Sequence, residues 1–207
     1  MPGAPPHVDW SGQVLRRFDE FVDAVVLGGK IAECESGPPL AITPVVPVTS
    51  SKCAGYVAQH LLFQQCPHLL DGIGERFLRL AGDACPHQTR QRGRVWIGPE
   101  GTVTPLHFDW HENVLCQLIG SKLVLLCEGG IEPDAREAFY PCDGVPNASR
   151  VDAEAPDLAA FPLFARVKRR ICVLSPGQAL FIPRGVWHYV RSLTPSVSAS
   201  FWFDQQG

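Results

Sequence analysis

The chain has no C-x-x-C pair, no net positive charge and no apolar run long enough to span a membrane. Its formal net charge of −3 argues against a protein that holds nucleic acid or anionic lipid by charge. Its start has neither the basic stretch nor the apolar core of a secretory signal. None of the eight cysteines forms a C-x-x-C pair, which argues against a zinc knuckle. Cys116, Cys127 and Cys172 lie inside apolar strand-like runs, where free Cys behaves as a small hydrophobe, which argues against a disulfide scaffold. We therefore expect a reduced intracellular protein of the nucleus or cytoplasm.

The 207 residues are 45% hydrophobic, enough for one sizeable core. The 19 Gly and 19 Pro favour a turn-rich fold over a helical bundle. Short runs of strand-like composition, separated by Gly/Pro turns, are typical of a sandwich or barrel. The strands are predicted at residues 56–60, 94–97, 114–119, 122–127, 170–174, 178–182, 186–192 and 196–203.

The segments outside these strands suggest how the chain is organised. Apolar residues at helical spacing predict an amphipathic helix over residues 14–26. A Pro-rich connection over 33–52 and a short helix ending at Cys66 follow. We expect residues 1–54 to pack on a domain formed by residues 55–207. Residues 129–162 read as a long, mainly irregular insertion, which we expect to reshape the substrate entrance together with Phe108 and Trp110.

A Gly-Ser pair at residues 120–121 lies between two predicted strands and is typical of a hairpin turn. If Ile119 faces Lys122 across that turn, then Asn113 and Lys122 fall on the same face of the sheet. His107 and Asp109 share that parity if the strand continues without a bulge. A Lys among apolar neighbours is costly to bury without an anionic partner. The register therefore predicts a site for a small molecule that bears a carboxylate.

His107 and Asp109, in the order H-x-D, and the later His188 offer two imidazoles and one carboxylate. This ligand set, with its other positions open, is diagnostic of non-haem Fe(II) oxygenases. A lone strand His or a lone H-x-D is more often unrelated to a metal, and the combination with an interior Lys carries the prediction. His111 adds a third imidazole nearby, which we interpret as a neighbour of the site. Arg184 and Arg191 are interpreted as solvated charges.

Several motifs in this sequence resemble those of one family. They match the JmjC-domain Fe(II)/2-oxoglutarate oxygenases, and within them the lysine demethylase 8 group, also described as arginyl hydroxylases. The resemblance covers roughly residues 55–203. It is carried by Lys122 and by the stretches GYVAQH (55–60), WIGPEG (96–101), GTVTPLHFD (101–109), LSPG (174–177), WHYVR (187–191) and SVSASFW (196–202).

The resemblance implies a mainly β fold, a double-stranded β-helix of the cupin or jelly-roll type with a few flanking helices. It implies Fe(II) on His107, Asp109 and His188, with 2-oxoglutarate as co-substrate and O2 as oxidant. It also implies roles for residues around the co-substrate. Lys122 would pair with its far carboxylate, assisted by Tyr56, Thr104 and Asn113, while Trp96 and Trp202 would line the pocket.

The activity implied by the resemblance is oxidative decarboxylation of 2-oxoglutarate coupled to hydroxylation of a protein side chain. The substrate would be a protein or peptide, such as a histone or another basic protein. Hydroxylation of an N-methyl carbon leads to demethylation, whereas a hydroxylated arginyl carbon is stable. Three alternatives stay open: a catalytically impaired JmjC-like binding module, a small-molecule or RNA hydroxylase on the same fold, and a metal-bound cupin without 2-oxoglutarate.

Overall fold

The structure is a computed structural model that describes residues 55–72, 93–130, 132 and 136–203. The helix predicted over 14–26, the connection over 33–52 and the proposed segment 1–54 lie outside the described residues. Within the described part, the fold is mainly β, with two antiparallel sheets and short helical segments. No described helix is long and apolar enough to cross a membrane.

The first sheet has five strands in the order β1-β2-β11-β4-β9. The second has six strands in the order β6-β7-β3-β10-β5-β8. A four-residue helix, α1 (Leu62–Gln65), follows β1, and 3-10 segments span Pro67–Gly72 and Pro162–Arg166. In chain order the strands are β1 (Val57–His60), β2 (Gly93–Gly98), β3 (Val103–His107), β4 (Glu112–Ile119), β5 (Lys122–Cys127), β6 (Pro141–Cys142), β7 (Val145–Ser149), β8 (Arg169–Leu174), β9 (Ala179–Ile182), β10 (Trp187–Ser192) and β11 (Ser196–Phe203).

The two sheets pack face to face, and side chains alternate between the space they enclose and their outer surfaces. On β10, His188 and Val190 point inward, while Trp187 and Tyr189 belong to a separate outer core. An inner apolar cluster draws on both sheets and includes Leu115, Val124, Leu174, Ile182 and Val190. The predicted jelly-roll type of fold is confirmed.

The predicted pairing of β4 with β5 is wrong. β4 pairs with β11 and β9 in the first sheet, whereas β5 pairs with β10 and β8 in the second. The residue pair Gly120-Ser121 therefore carries the chain from one sheet to the other. Asn113 and Lys122 do line the same cavity, but they reach it from opposite sheets and not from one face of a hairpin.

Contacts with the turn before β11 explain why the chain crosses between the sheets at this point. Ser121 N donates to Thr194 Oγ1 at 3.0 Å, and Leu193 N donates to the Ser121 carbonyl at 2.8 Å. Gly120 has φ +70°, and a Cβ built there would overlap the Pro195 carbonyl oxygen. Only glycine meets both demands without strain.

Gly120→Ala should therefore lower the free energy of unfolding more than a comparable change elsewhere. We expect a loss of about 1–2 kcal/mol from the left-handed backbone and about 1–3 kcal/mol more from crowding against Pro195. Gly177→Ala is the matched control, since its φ is +82° but nothing lies within 4 Å of the added methyl. Urea unfolding of the two variants measures the difference. Equal losses would show that the Pro195 contact does not matter.

The insertion is less irregular than predicted, because it contains β6 and β7, and β7 pairs with β3. Its Phe139 ring stacks on Trp187, with centroids 4.5 Å apart. The Phe108 ring packs edge-on against Trp187, with ring centroids 4.9 Å apart, and Phe108 is fully buried. Phe108 is therefore a core residue, and the prediction that it shapes a substrate entrance is wrong. The insertion covers the outer face of the second sheet.

Candidate metal centre

A cavity between the sheets collects polar side chains from both of them. β3, β5 and β10 contribute from the second sheet, and β2, β4, β9 and β11 contribute from the first. Its lining consists of Tyr56, Trp96, Thr104, His107, Asp109, Asn113, Leu115, Lys122, Ile182, His188, Val190, Ser198, Ser200 and Trp202.

Three potential metal ligands meet at one end of this cavity. His107 is the last residue of β3, Asp109 follows in the loop before β4, and His188 lies on β10 directly opposite His107 in the strand register. One ligand atom from each residue lies within 4.8 Å of the others. Asp109 Oδ1 is 3.8 Å from His107 Nε2, and Asp109 Oδ2 is 3.7 Å from His188 Nε2. His107 thus ends a strand, and Asp109 lies two residues beyond it.

Backbone carbonyls hold both imidazoles in one tautomer. His107 Nδ1 lies 2.8 Å from the Pro105 carbonyl oxygen, and His188 Nδ1 lies 2.8 Å from that of Val186. A carbonyl only accepts, so each Nδ1 carries a hydrogen, and in the neutral form of each ring Nε2 presents a lone pair. Two nitrogen lone pairs and a carboxylate therefore face one another, an arrangement that a cation stabilises.

The imidazole of His188 is neutral near pH 7. Burial, followed by the neighbouring His107, lowers the pKa of His188 to about 4, against the opposing effects of Asp109 and the Val186 carbonyl. A neutral imidazole is the form that binds a metal ion. The residues present, two imidazoles and one carboxylate, therefore fit a divalent metal ion.

The Asp109 carboxylate is held by two donors from the first sheet. Asn113 Nδ2 donates to Asp109 Oδ2 at 2.9 Å, and Trp202 Nε1 donates to the same oxygen at 2.8 Å. Burial acts to raise the pKa of Asp109, but His188, His107 and these two hydrogen bonds together hold it below its usual range. The carboxylate is thus charged and fixed in orientation, as a metal ligand must be.

Lys122 lies deeper in the cavity and is only 2% exposed. Its Nζ donates to Ser198 Oγ at 2.8 Å and lies 5.8 Å from the centre of the Tyr56 ring. Burial lowers the pKa of Lys122 to about 7. Tyr56 Oη is 3.2 Å from Thr104 Oγ1, and burial raises the pKa of Tyr56 well above its ordinary value of 10. An amine and two hydroxyls therefore surround a space that suits an anion.

Two buried polar atoms of the cavity lining have no hydrogen-bond partner among the residues that the structure describes. They are the Trp96 Nε1 donor and the Asn113 Oδ1 acceptor. Buried polar groups are seldom left without a hydrogen bond, so each indicates a place where a bound molecule or water completes the site.

All nine residues that the sequence assigned to the site line this cavity: Tyr56, Trp96, Thr104, His107, Asp109, Asn113, Lys122, His188 and Trp202. His111 is exposed and lies outside the cluster of potential ligands among the described residues. Arg191 pairs with Glu154 through two contacts of 3.0 and 2.9 Å, so it is not a purely solvated charge.

Sequence reasoning missed Ser198 and Ser200, which line the cavity from β11. A signal was present, since Ser196, Ser198 and Ser200 alternate with Val197, Ala199 and Phe201. Such alternation places the hydroxyls on one face of the strand. It does not reveal which residue they face, and the Lys122 contact appears only once the sheets are packed.

Comparison with known proteins agrees with this architecture. A family model described as a cupin-like domain matches residues 39–207. Lysine-specific demethylase 8 of Danio rerio is 40% identical over 200 residues, which cover 94% of this chain and 42% of that protein. The protein of the same name from Xenopus tropicalis is 41% identical over 151 residues, covering 72% of this chain and 33% of that protein.

JmjC domain-containing protein F of Dictyostelium discoideum is 33% identical over 214 residues, which cover 95% of this chain and 43% of that protein. The chain thus spans less than half the length of each of these relatives. The family match covers most of the chain, and the two-sheet fold agrees with it. The chain belongs to the family of cupin-like JmjC-domain proteins.

Proposed function

We propose that this chain is an Fe(II)- and 2-oxoglutarate-dependent oxygenase that hydroxylates a protein side chain. The observation that carries the proposal is one cavity holding both a cation-demanding ligand cluster and a buried Lys122. A metal site alone suits many cupin reactions. A buried amine beside it adds a place for the distant carboxylate of a dicarboxylate co-substrate.

In this proposal His107 and His188 each bind the metal through Nε2, and Asp109 binds it through a carboxylate oxygen. Bound Fe(II) with 2-oxoglutarate and O2 supplies oxidative decarboxylation coupled to hydroxylation of a C–H bond, with succinate and CO2 as the other products. The chain's own part is to orient these ligands. The Pro105 and Val186 carbonyls set the imidazoles, and Asn113 and Trp202 set the carboxylate, as described above.

Lys122 is proposed to bind the far carboxylate of 2-oxoglutarate as a protonated amine, with Tyr56 and Thr104 donating hydroxyl hydrogen bonds beside it. Charge-assisted hydrogen bonds of this kind are about twice as strong as neutral ones. One Asn113 Nδ2 hydrogen is donated to Asp109, and the amide group carries a second one. A hydrogen bond from Asn113 to the co-substrate remains a prediction.

The walls of the cavity limit access of water to the proposed reaction centre. Leu115, Ile182 and Val190 form an apolar patch shared by the two sheets, and the Trp96 and Trp202 rings lie on the side of the first sheet. Exclusion of water strengthens the electrostatic contacts inside and protects reactive species from side reactions.

The proposed substrate is a protein or peptide side chain, for which a histone or another basic protein is a candidate. Support comes from the relatives named lysine-specific demethylase 8. Arginyl hydroxylation and lysyl demethylation both begin with hydroxylation of a C–H bond and place the same demands on the metal site. A catalytically impaired binding module is the second candidate, which the intact ligand cluster and Lys122 disfavour.

Conversion of 2-oxoglutarate to succinate tests this function. The chain, purified without oxygen and loaded with Fe(II), should form succinate from 2-oxoglutarate and O2. Succinate formation should not occur when Fe(II) is omitted, because the protein's own residues do not supply the redox chemistry. Succinate is measured by NMR, and 2-oxoglutarate binding is measured beside it without oxygen.

The control for this experiment is His111→Ala, which removes the one nearby imidazole that is exposed and outside the ligand cluster of the described residues. It should keep turnover within about twofold of the intact chain, as expected of a surface change. Metal-dependent binding of 2-oxoglutarate without turnover would favour the binding module. If the chain neither binds 2-oxoglutarate nor turns it over, it is not a 2-oxoglutarate-dependent oxygenase.

A further inference from the structure

Strand β8 (Arg169–Leu174) forms the outer edge of the second sheet. It pairs with β5 along one side, in a register that continues from Arg169 opposite Cys127 to Leu174 opposite Lys122 without a shift. In the part of the chain that the structure describes, no strand pairs with its other side. Such an edge is a template for one more strand.

The register shows which residues of β8 present their backbone groups at this open edge. Glu128 N donates to the Lys168 carbonyl at 2.8 Å, so the pair of residues 128 and 168 is hydrogen-bonded across the ladder. Hydrogen-bonded pairs alternate along antiparallel strands. Residues 170, 172 and 174 therefore bond towards β5, and Arg169, Ile171 and Val173 turn their N–H and C=O groups outward.

The side chains beside these open backbone groups are apolar and exposed. Ile171 is 65% exposed and Val173 is 50% exposed. Two β-branched residues at alternate positions on a strand suit a cross-strand contact with β-branched partners. β8 contains no proline, and its charged residues, Arg169 and Arg170, both lie at its beginning, so the usual protections of an edge are absent from the rest of the strand.

Cations lie at the beginning of β8. Lys168 and Arg170 have side chains 83% and 79% exposed, and Arg166 lies two residues before Lys168. Arg169, between Lys168 and Arg170, also donates to the Ala153 carbonyl at 3.3 Å. Of the described residues, Glu128 is the carboxylate that pairs with this run, at 3.8 Å from Lys168 and 2.8 Å from Arg170. Four cations against one carboxylate leave a positive charge at one end of an apolar edge.

We propose that the edge of β8 binds an extended acidic peptide segment of a partner protein by adding it as an antiparallel strand. Antiparallel addition places the carboxyl-terminal end of the peptide beside the cations. Val173 and Ile171 would face two apolar peptide residues, and Arg169 and Lys168 would face acidic residues that follow them. Main-chain hydrogen bonds supply affinity in this mode of recognition, and side chains supply specificity.

The edge of β8 is tested with the whole chain and a defined probe. The probe is the fluorescein-labelled peptide Gly-Thr-Val-Ser-Val-Thr-Asp-Glu-Asp, in which the two Val match Val173 and Ile171 and the acidic residues match Arg169 and Lys168. Fluorescence anisotropy should show saturable binding that weakens at least tenfold between 50 and 500 mM NaCl. The peptide Asp-Glu-Asp-Gly-Thr-Val-Ser-Val-Thr, with the acidic end reversed, should bind at least fivefold more weakly.

Two variants separate the apolar and charged contributions. Ile171→Lys and the double change Lys168→Glu with Arg170→Glu should each weaken binding of the first peptide at least tenfold. Phe181→Lys is the matched control, because Phe181 is 48% exposed on β9, which is an edge strand of the other sheet. This change should leave the affinity unchanged. All three should keep the thermal transition within a few degrees of the parent chain, since the altered side chains are exposed.

The proposal is wrong if the chain binds both peptides with equal affinity. It is also wrong if Phe181→Lys weakens binding of the first peptide as much as the changes in β8 do. Binding of neither peptide would overturn it as well. Analytical ultracentrifugation tests whether a second copy of the chain occupies the edge instead. That assignment would follow if the chain forms a dimer that the Ile171→Lys change abolishes and that the peptide does not dissociate. Succinate formation is measured separately, so failure of the peptide test leaves the proposed oxygenase activity untouched.

Discussion

Asp109→Asn is expected to weaken Fe(II) binding by a factor on the order of 100 or more. The change keeps the size of the side chain but removes the only charged group among the three ligands of the described cluster. Loss of an outer hydrogen bond to a metal ligand costs about 10- to 100-fold, so loss of a charged ligand should cost at least as much. The two remaining groups, His107 and His188, would bind the ion as neutral imidazoles, which do not offset its charge.

The measurement is an anaerobic titration of Fe(II), with Co(II) absorption as a second readout. Trp202→Phe is the graded comparison, because it keeps an aromatic ring but removes the Nε1 donor to Asp109 Oδ2. It should weaken metal binding by about tenfold. If Asp109→Asn binds the metal within threefold of the intact chain, Asp109 is not a ligand and the proposed metal centre is wrong.

Lys122→Met is expected to weaken 2-oxoglutarate binding by about 100-fold, since the anion would then be buried without its cation. Affinity of the intact chain should also depend on pH. Burial lowers the pKa of Lys122 to about 7, and a bound carboxylate would raise it again. Binding then takes up a proton above pH 7, so affinity should fall as the pH rises from 7 to 9.

Calorimetry in two buffers of different ionisation enthalpy measures that proton uptake, and Lys122→Met should show none from this group. Ser198→Ala is the matched control, because it removes the Lys122 hydrogen-bond partner but keeps the amine. It should weaken binding much less than Lys122→Met. Affinity for 2-oxoglutarate that is the same in Lys122→Met and the intact chain would contradict the role of Lys122.

The buried amine of Lys122 also makes the stability of the protein depend on pH, in the opposite direction to the affinity for 2-oxoglutarate. The pKa of Lys122 in the folded protein lies below its ordinary value of 10.5, so the folded state binds fewer protons than the unfolded state between pH 7 and about 10. The free energy of unfolding should therefore rise with pH across this window. Lys122→Met, measured without co-substrate, should be more stable than the intact chain, with a larger gain at pH 7 than at pH 9.

Much of the site could be predicted because its residues follow local rules. The identity of the two imidazoles and the carboxylate suggests the metal without any knowledge of distance. The alternation of side chains along a strand shows which residues share a face. All eight predicted strands have a counterpart in the structure, because each is a short β-prone run, whereas β3, β6 and β7 were not predicted.

The pairing of strands could not be predicted from such rules. A two-residue Gly-Ser connection fits a tight hairpin, yet here the contacts of Gly120 and Ser121 with residues 193–195 send β5 into the other sheet. The predicted hairpin placed Asn113 and Lys122 on one face of a single sheet, and that pairing is wrong. They meet because the inner faces of two packed sheets enclose one space.

The sequence by itself determined the chemistry available to this protein: a metal ligand set, an amine for an anion and a β-rich scaffold. The tertiary structure decided how those groups act on one another. It placed Asn113 and Trp202 on the Asp109 carboxylate, Ser198 on Lys122, and β8 at an open edge. Residue types and periodicity are local properties of a chain, whereas these contacts join residues from strands far apart in sequence and exist only after the sheets have packed.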